Sequence, residues 1–242
     1  MPQLSFQHWL AEACEVLLHL FAPRCCCICG QWTEQITGLH RFVCQPCWEN
    51  LPLAPPPEEL YNQLLQNFPN DELALSGVAA LFGLREGTPP MQLIYALKYH
   101  GCWELGRELG RVLGMVLPKL LPYQLEALIP VPIHPARRRE RGYNQAEAIA
   151  KGISDVTGIP LYRDALRRRV ATASQTQLTV EQRRQNVAGV FAGGTQAAAV
   201  RSANLLLVDD VLTTGSTLNS CAEALLALGA RRVFAIAVAK AL

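Results

Sequence analysis

The sequence predicts an α/β fold, a parallel β-sheet with flanking helices, preceded by a small metal-binding module. Three observations carry this. From residue 78 onward, apolar runs of strand length alternate with segments of helical period, the pattern of strands joined by crossover helices. The run Leu205–Val208 leads straight into two carboxylates and a Thr/Gly/Ser loop, and parallel sheets bind ligands beyond the carboxyl ends of their strands. Finally, six of the nine cysteines crowd into residues 25–47, ahead of a proline-rich stretch.

The elements follow in order. Leu4–Phe21 has apolar residues at helical spacing (Leu10, Cys14, Leu17, Leu18, Phe21), so residues 1–24 read as an N-terminal amphipathic helix. It lacks a basic residue ahead of the apolar stretch and is interrupted by His8, Glu12, Glu15 and His19, which fits neither a secretory signal nor a membrane span. Residues 25–50 hold the cysteines and read as a zinc-ribbon-like module. Leu51–Pro57 carries four prolines; proline lacks a donor and fixes φ, so residues 51–59 are expected to be a linker and 60–242 the main domain.

Within that domain Val78–Leu84 reads as a strand. Pro90–Tyr99 and Trp103–Leu121 read as helices separated at Gly101. Ala127–Ile133 is an apolar run expected to be a buried strand, followed by a basic turn. Asn144–Thr157 reads as a helix ended by Gly158, and Thr217–Leu228 as one ended by Gly229, a favoured residue just past a helix end. Val233–Val238 is the last buried strand. Residues 166–190 are polar, rich in Arg and Gln and without clear period, which predicts a long mobile loop.

Half of the residues are apolar and 17% are charged, a globular composition that excludes a disordered chain. The net charge of +2 conceals an asymmetry. Residues 1–136 hold 7 basic and 12 acidic side chains, 137–184 hold 11 and 5, and 185–242 hold 4 and 3. The basic middle block predicts an anionic ligand.

Cys26-x-x-Cys29 and Cys44-x-x-Cys47 are two C-x₂-C knuckles with fourteen residues between them. That spacing brings four thiolates into the tetrahedron of a structural Zn²⁺ site, with no position left open for catalysis. Without an export signal the cysteines are expected in a reducing, cytoplasmic setting, where metal binding outweighs disulfides. A redox C-x-x-C is the competing reading, but the βαβ context of a thioredoxin-like site is missing. Cys25 and Cys27 leave the first knuckle crowded. Cys14, Cys102 and Cys221 sit in apolar helical patterns and read as core.

The segment Leu205-Leu-Leu-Val-Asp-Asp-Val-Leu-Thr-Thr-Gly-Ser-Thr217 has the chemistry of a sugar-phosphate site. Loop amides and a helix N-terminus point at an anion. Gly215 permits close backbone approach, and the hydroxyls of Thr213, Thr214, Ser216 and Thr217 add donors. Bare carboxylates beside a phosphate would repel it, so Asp209 and Asp210 require ribose hydroxyls or Mg²⁺. No G-x-x-x-x-G-K-[ST] loop is present, which excludes a Walker nucleotide site. Ahead of it, His134, Arg137, Arg139 and Arg141 crowd one short stretch, and guanidinium groups pair bidentately with pyrophosphate oxygens. Arg138 is expected to face elsewhere.

The thirteen-residue segment resembles the phosphoribosyl-pyrophosphate (PRPP) loop of type I phosphoribosyltransferases. That resemblance implies that Asp209 and Asp210 hold the ribose hydroxyls and that residues 213–217 hold the 5′-phosphate. The run Leu128–Gln145, with its R-G-Y-N-Q motif, resembles the ComF family of competence-associated, phosphoribosyltransferase-like proteins, to which the GntX group is close. Leu97-Lys-Tyr-His-Gly101 and the residues Arg168, Thr172, Gln175, Leu178, Arg183, Asn186 and Phe191 extend the match, which covers roughly residues 25–50 and 90–242. It implies a type I phosphoribosyltransferase-like sheet, a pyrophosphate loop over 128–145, a PRPP-binding role for Lys98, a flexible loop over 166–190 and an N-terminal zinc element. Two departures stand out: Thr172-Ala-Ser-Gln175 lacks the family's usual proline, and the chain ends Val-Ala-Lys-Ala-Leu242 without the usual arginine.

Three functions remain open at this level. One is a phosphoribosyltransferase that binds PRPP with Mg²⁺, using Asp209, Asp210, Arg137, Arg139 and Arg141 as its catalytic set, its acceptor unidentified. Another is a single-stranded DNA-binding module of the DNA-uptake machinery, using the arginines with aromatics such as Trp32, Phe42, Trp48 and Tyr143. The third is a PRPP sensor without turnover. Residues 25–50 contain Arg41 as their one basic side chain against Glu34 and Glu49, so DNA contact is expected on the larger domain.

Overall fold

The computed structural model describes residues 25–33, 35, 37–68, 72–85, 87–99, 102–168 and 190–242. The helix expected over 1–24 and residues 169–189 of the expected loop lie outside the described residues. The chain forms two compact units, Met1–Asn50 and Leu51–Leu242.

In the small unit, tight turns present the cysteines. The Cys26 amide donates to the Gln31 carbonyl at 2.7 Å and the Gly30 amide to the Cys26 carbonyl at 2.8 Å. The two knuckles are tied by the Cys27 amide donating to the Phe42 carbonyl at 2.8 Å and the Thr33 hydroxyl to the Arg41 carbonyl at 3.0 Å. A short helix α1 (Gln45–Glu49), with proline in its first turn, carries Cys47.

The large unit is built on four parallel strands: β1 (Gly77–Leu84), β2 (Ala127–Pro130), β5 (Asn204–Leu212) and β6 (Arg232–Ala241), ordered β1-β6-β5-β2. Helices α2 (Pro57–Asn67), α3 (Pro90–Tyr99), α4 (Trp103–Leu120), α5 (Pro135–Arg141), α6 (Gln145–Thr157) and α7 (Ser216–Ala227) connect and cover them. A short antiparallel hairpin, β3 (Leu166–Arg168) with β4 (Phe191–Gly193), stands apart from the sheet.

Both faces of the sheet are covered, as a parallel sheet requires. Leu205 and Leu207 of β5 share a core with Leu60 and Leu64 of α2 and Leu218, Cys221 and Leu225 of α7. The residues of opposite parity, Leu206, Val208, Phe234 and Ile236, are equally buried, because successive strand side chains point to opposite faces. Each such fully buried Leu or Ile contributes roughly 1.5–3 kcal/mol relative to exposure. Helices α4 and α6 pack with almost no gap. A Cβ on Gly110 would lie 2.0 Å from the Ile149 carbonyl oxygen, and one on Gly152 would lie 2.0 Å from that of Arg107.

Several expectations are corrected. Residues 51–56 are not a linker: the Gly83 amide donates to the Pro52 carbonyl at 2.8 Å, the Ala54 amide to that of Leu81, and Leu53 bridges Phe82. They lie along β1, because prolines are tolerated on a sheet edge. Pro57 then opens α2, which the sequence reading missed although proline is favoured in a first helical turn. The strand expected over 127–133 stops at Pro130, and the basic turn is the helix α5, with His134 as N-cap and Gly142 in the left-handed region beyond it. Residues 166–168, expected in a mobile loop, form β3. β5 runs to Leu212, so the acidic pair sits within the strand.

Candidate functional site

The C-terminal edge of the sheet carries a cavity of about 130 Å³. Its walls include Asp209 and Asp210 from β5, Lys98 from α3, Arg137 and Arg141 from α5, Arg168 from β3 and Thr217 from α7. Eight of the residues singled out from sequence therefore converge: Asp209, Asp210, Lys98, His134, Arg137, Arg141, Arg168 and Thr217. Arg139 does not join them; it is exposed on α5, because a helix spreads consecutive side chains around its axis. Arg138 also turns away, pairing with Glu147 at 3.6 Å. Thr213, Thr214, Gly215 and Ser216 form the loop beside the cavity and are not among its walls.

The acidic pair is held by its own backbone. One Asp209 oxygen accepts from the Asp210 amide and one Asp210 oxygen from the Val211 amide, each at 2.9 Å. The second Asp210 oxygen pairs with Lys98 Nζ at 3.3 Å. Burial, reinforced by the neighbouring Asp210 charge, pushes the Asp209 carboxyl well above the usual range, while Lys98 works in the opposite direction. Two adjacent carboxylates in a half-closed site call for hydroxyl donors or a hard cation that takes oxygen ligands. The donor set therefore fits Mg²⁺ together with a polyhydroxylated, phosphorylated ligand.

Beside the pair, Gly215 takes φ 84 as N-cap of α7. A Cβ there would lie 2.6 Å from Leu64 Cδ2, so α2 supports the loop from below. The Lys240 ammonium donates to the Thr213 carbonyl at 3.2 Å and also to the Ala241 carbonyl, and burial lowers its pKa. Asn219 clamps α7 to the chain ahead of β1: its Oδ1 accepts from the Ala74 amide at 2.7 Å and its Nδ2 donates to the Glu72 carbonyl at 3.0 Å.

Some wall residues escaped the sequence reading as site residues. Asn144 donates to the Val131 carbonyl at 3.0 Å and accepts from the Ala146 amide at 3.1 Å, pinning the chain beyond β2 to the start of α6. Gln145 is 1% exposed, and its Oε1 accepts from Arg141 Nη1 at 3.0 Å. Gln145 Nε2 and Arg141 Nε are buried donors without a partner among the described residues. Buried donors are costly when unpaired, and both residues stand in the wall where an anion would supply acceptors. The R-G-Y-N-Q motif was the available signal for Asn144 and Gln145. Arg168 lay in a segment without periodicity, and the sequence pointed to it only as a position of the family match and one of three consecutive arginines able to reach phosphates.

In the small unit the ligand atoms of Cys26, Cys29, Cys44 and Cys47 lie within 4.8 Å of one another. Cys29 Sγ and Cys44 Sγ are 3.7 Å apart, close to the edge of about 3.8 Å of a tetrahedron with Zn–S bonds of about 2.3 Å. Burial opposes ionisation of Cys26, but the Cys29, Cys44 and Ile28 backbone groups lower its pKa to about 7. Burial and the Cys44 thiol raise that of Cys47. One thiolate is favoured while Cys44 and Cys47 resist ionisation, as crowded thiols do without a counter-charge. The residues fit Zn²⁺ and leave no ligand position open. Cys25 and Cys27 lie outside the cluster.

The parallel strand order, the acidic pair in the C-terminal half of β5 and the Thr/Gly/Ser loop opening α7 make a phosphoribosyltransferase-like α/β fold. Residues 140–241 match the family model described as phosphoribosyl transferase domain. Over this part the chain is similar to proteins of the ComF/YhgH (GntX) group, at 28–36% identity. It is 36% identical over 116 residues to competence protein F of Haemophilus influenzae, covering 48% of this chain and 51% of that protein. It is 33% identical over 108 residues to DNA utilization protein YhgH of Escherichia coli O157:H7, covering 45% and 46%. The chain thus spans about half the length of the curated relatives it matches. A solved glutamine PRPP amidotransferase from B. subtilis, complexed with ADP and GMP, overlaps 54% of this chain and 26% of its own at 20% identity and a TM-score of 0.38.

Proposed function

We propose that the large unit binds PRPP with Mg²⁺ and transfers its phosphoribosyl group to an acceptor, releasing pyrophosphate. The observation that carries this is one cavity where Asp209 and Asp210 face Lys98, Arg137, Arg141 and Arg168 beside the 213–217 loop. In this reading the acidic pair takes the ribose hydroxyls, the loop amides and hydroxyls take the 5′-phosphate, and Arg137 and Arg141 take the pyrophosphate. Mg²⁺ would neutralise pyrophosphate charge and rest against the acidic pair. The bond between C1 and the pyrophosphate oxygen breaks as the acceptor's lone pair forms the new bond. The protein's own part is to position the ligand and to stabilise the leaving charge. Arg139, exposed on α5 and outside the cavity wall, has no part in this reading. The small unit holds a structural Zn²⁺ through Cys26, Cys29, Cys44 and Cys47 in the same reading. Calorimetry of PRPP with and without Mg²⁺, followed by an assay of pyrophosphate release, is the test. Absence of PRPP binding in both conditions rejects the site.

A second reading is a non-catalytic, PRPP-responsive module that binds single-stranded DNA in DNA uptake. It is favoured by relatives named for competence and DNA utilization and by Arg137 and Arg139 exposed on α5. DNA binding that weakens steeply with salt, and changes when PRPP is added, supports it; salt-indifferent binding rejects it. No helix among the described residues is long and apolar enough to cross a membrane.

A further inference from the structure

Tyr143 is among the aromatics that the sequence offers for stacking on DNA, but its side chain is otherwise engaged. Its hydroxyl donates to the Leu97 carbonyl, 46 positions back along the chain. Its ring meets that of Trp103 edge-on, with centroids 5.8 Å apart. Leu97 lies in the last turn of α3, where helix carbonyls have no partner within the helix. The tyrosine hydroxyl supplies the donor that the helix itself lacks. The peptide group that accepts it is the one joining Leu97 to Lys98, and Lys98 Nζ reaches Asp210 at 3.3 Å.

Tyr143 is itself tied down on both sides. Before it, Gly142 closes α5 at φ 79, and its amide donates to the Arg138 carbonyl at 2.9 Å. After it, Asn144 caps α6 and donates to the Val131 carbonyl at 3.0 Å. With both neighbours bonded to the framework, the backbone sets the direction of the hydroxyl. Burial, with Cys102 and Asp210 close by and Arg141 opposing, raises the Tyr143 pKa, so the group keeps its proton and stays a donor at neutral pH. Arg141, Asn144 and Gln145 stand in the cavity wall; Tyr143 does not, and joins them to α3.

We propose that Tyr143 is a positioning residue: by holding the Leu97–Lys98 peptide to the start of α6, it keeps the Lys98 ammonium on Asp210. Lysine carries its charge on a flexible four-carbon stem, and an ion pair must overcome the entropy of fixing that stem. Helix ends fray, and a frayed end of α3 would add backbone freedom to that cost. The Tyr143 hydroxyl removes it by fixing the backbone from which Lys98 reaches out. The paired ammonium in turn offsets the negative charge that an incoming phosphorylated ligand meets at Asp209 and Asp210. The effect on PRPP rests on the phosphoribosyl reading of the cavity; the effect on Lys98 does not.

The test removes one oxygen from the full chain. Tyr143→Phe keeps the ring against Trp103 and loses only the donor. Competitive amine labelling read by mass spectrometry reports on Lys98 without any ligand. In Tyr143→Phe the Lys98 labelling rate should rise about fivefold, the scale of one partly exposed ion pair, toward the rate in Asp210→Asn. Lys151, paired with Asp155 on α6, should stay unchanged as the internal reference. Unchanged Lys98 labelling overturns the proposal. Calorimetry with PRPP then gives a double-mutant cycle. Tyr143→Phe should weaken binding about fivefold in the wild-type background, the scale of one hydrogen bond, and should add nothing in Lys98→Met. An equal loss in both backgrounds overturns the proposal, because a residue that merely supports the fold acts independently of Lys98; so does no loss in the wild-type background. Failure of the wild type to bind PRPP is a different result. It rejects the phosphoribosyl reading, and the labelling rates alone then decide the role of Tyr143.

Discussion

Lys98 Nζ lies 3.3 Å from Asp210 Oδ2, joining the last turn of α3 to the strand that carries the acidic pair. This is the one cation paired directly with that pair among the described residues, and it opposes the upward shift of Asp209. Because the folded Asp209 pKa is raised, the protonated carboxyl is the form that folding favours. Its contribution to stability is present below the unfolded value of about 3.9 and is lost as pH rises through the folded value. Asp209→Asn should therefore raise the melting temperature of the ligand-free protein at neutral pH while abolishing PRPP binding. A melting curve and a titration check the two halves, and retained wild-type affinity rejects the assigned site.

Lys240 anchors the 213–217 loop through the Thr213 carbonyl. Removing the ammonium in Lys240→Met should weaken PRPP binding about tenfold, the scale of one charged hydrogen bond. Lys240→Arg should recover most of it. Calorimetry on both variants decides, and equal losses in both would assign Lys240 to packing alone.

The thiol cluster predicts about one zinc per chain, by the four-ligand logic of closed structural sites. Cys44→Ser should lose the metal and with it the fold of residues 25–50, while the melting transition of the larger unit persists, because the two units are separately compact. Elemental analysis with a thermal scan is the measurement. Full zinc content in Cys44→Ser would reject the ligand set.

Close approach of α4 and α6 predicts that Gly110→Ala is destabilising, since its Cβ would meet the Ile149 carbonyl oxygen at 2.0 Å. Overpacking of this kind costs about 1–3 kcal/mol or more, and each kcal/mol lowers the melting temperature by roughly 2–4 °C in a chain of this size. An unchanged melting temperature would show that the helices separate freely.

Asp164 secures the base of the β3–β4 hairpin. It accepts from Arg167 at 2.6 and 2.7 Å and from the Thr195 amide at 2.9 Å, and these donors, Arg167 first, hold its pKa far below the usual carboxylate range. A depressed carboxylate contributes stability above its unfolded pKa of about 3.9, which is lost as pH falls through the folded value. Hydrogen exchange at Leu166–Arg168 should therefore accelerate between about pH 4 and lower values, and in Asp164→Ala it should be fast throughout.

Much of the site could be read along the chain because its parts are contiguous. Asp209 through Thr217 occupy one strand end, loop and helix start, and the cysteine knuckles repeat one spacing. Local chemistry of that kind survives in a linear string. The same holds for the strands, whose apolar runs predicted β1, β5 and β6 with bounds short by a few residues, since a strand end is set by its partner's register.

What the sequence determined by itself was the parallel α/β class, the acidic pair with the Thr/Gly/Ser loop after it, and the four clustered thiols, since short-range spacing and periodicity dictate each. Tertiary structure alone decided which arginines converge. Arg137 and Arg141 enter the cavity while Arg138 and Arg139 leave it, because the basic run coils into α5 and a helix disperses consecutive side chains. It also showed that Lys98 and Arg168, which only a family resemblance had named, reach the cavity of the pair, placed Lys240 under the loop, and laid the proline-rich stretch along β1. Those contacts join residues dozens of positions apart, and only packing of the helices on the sheet brings them together.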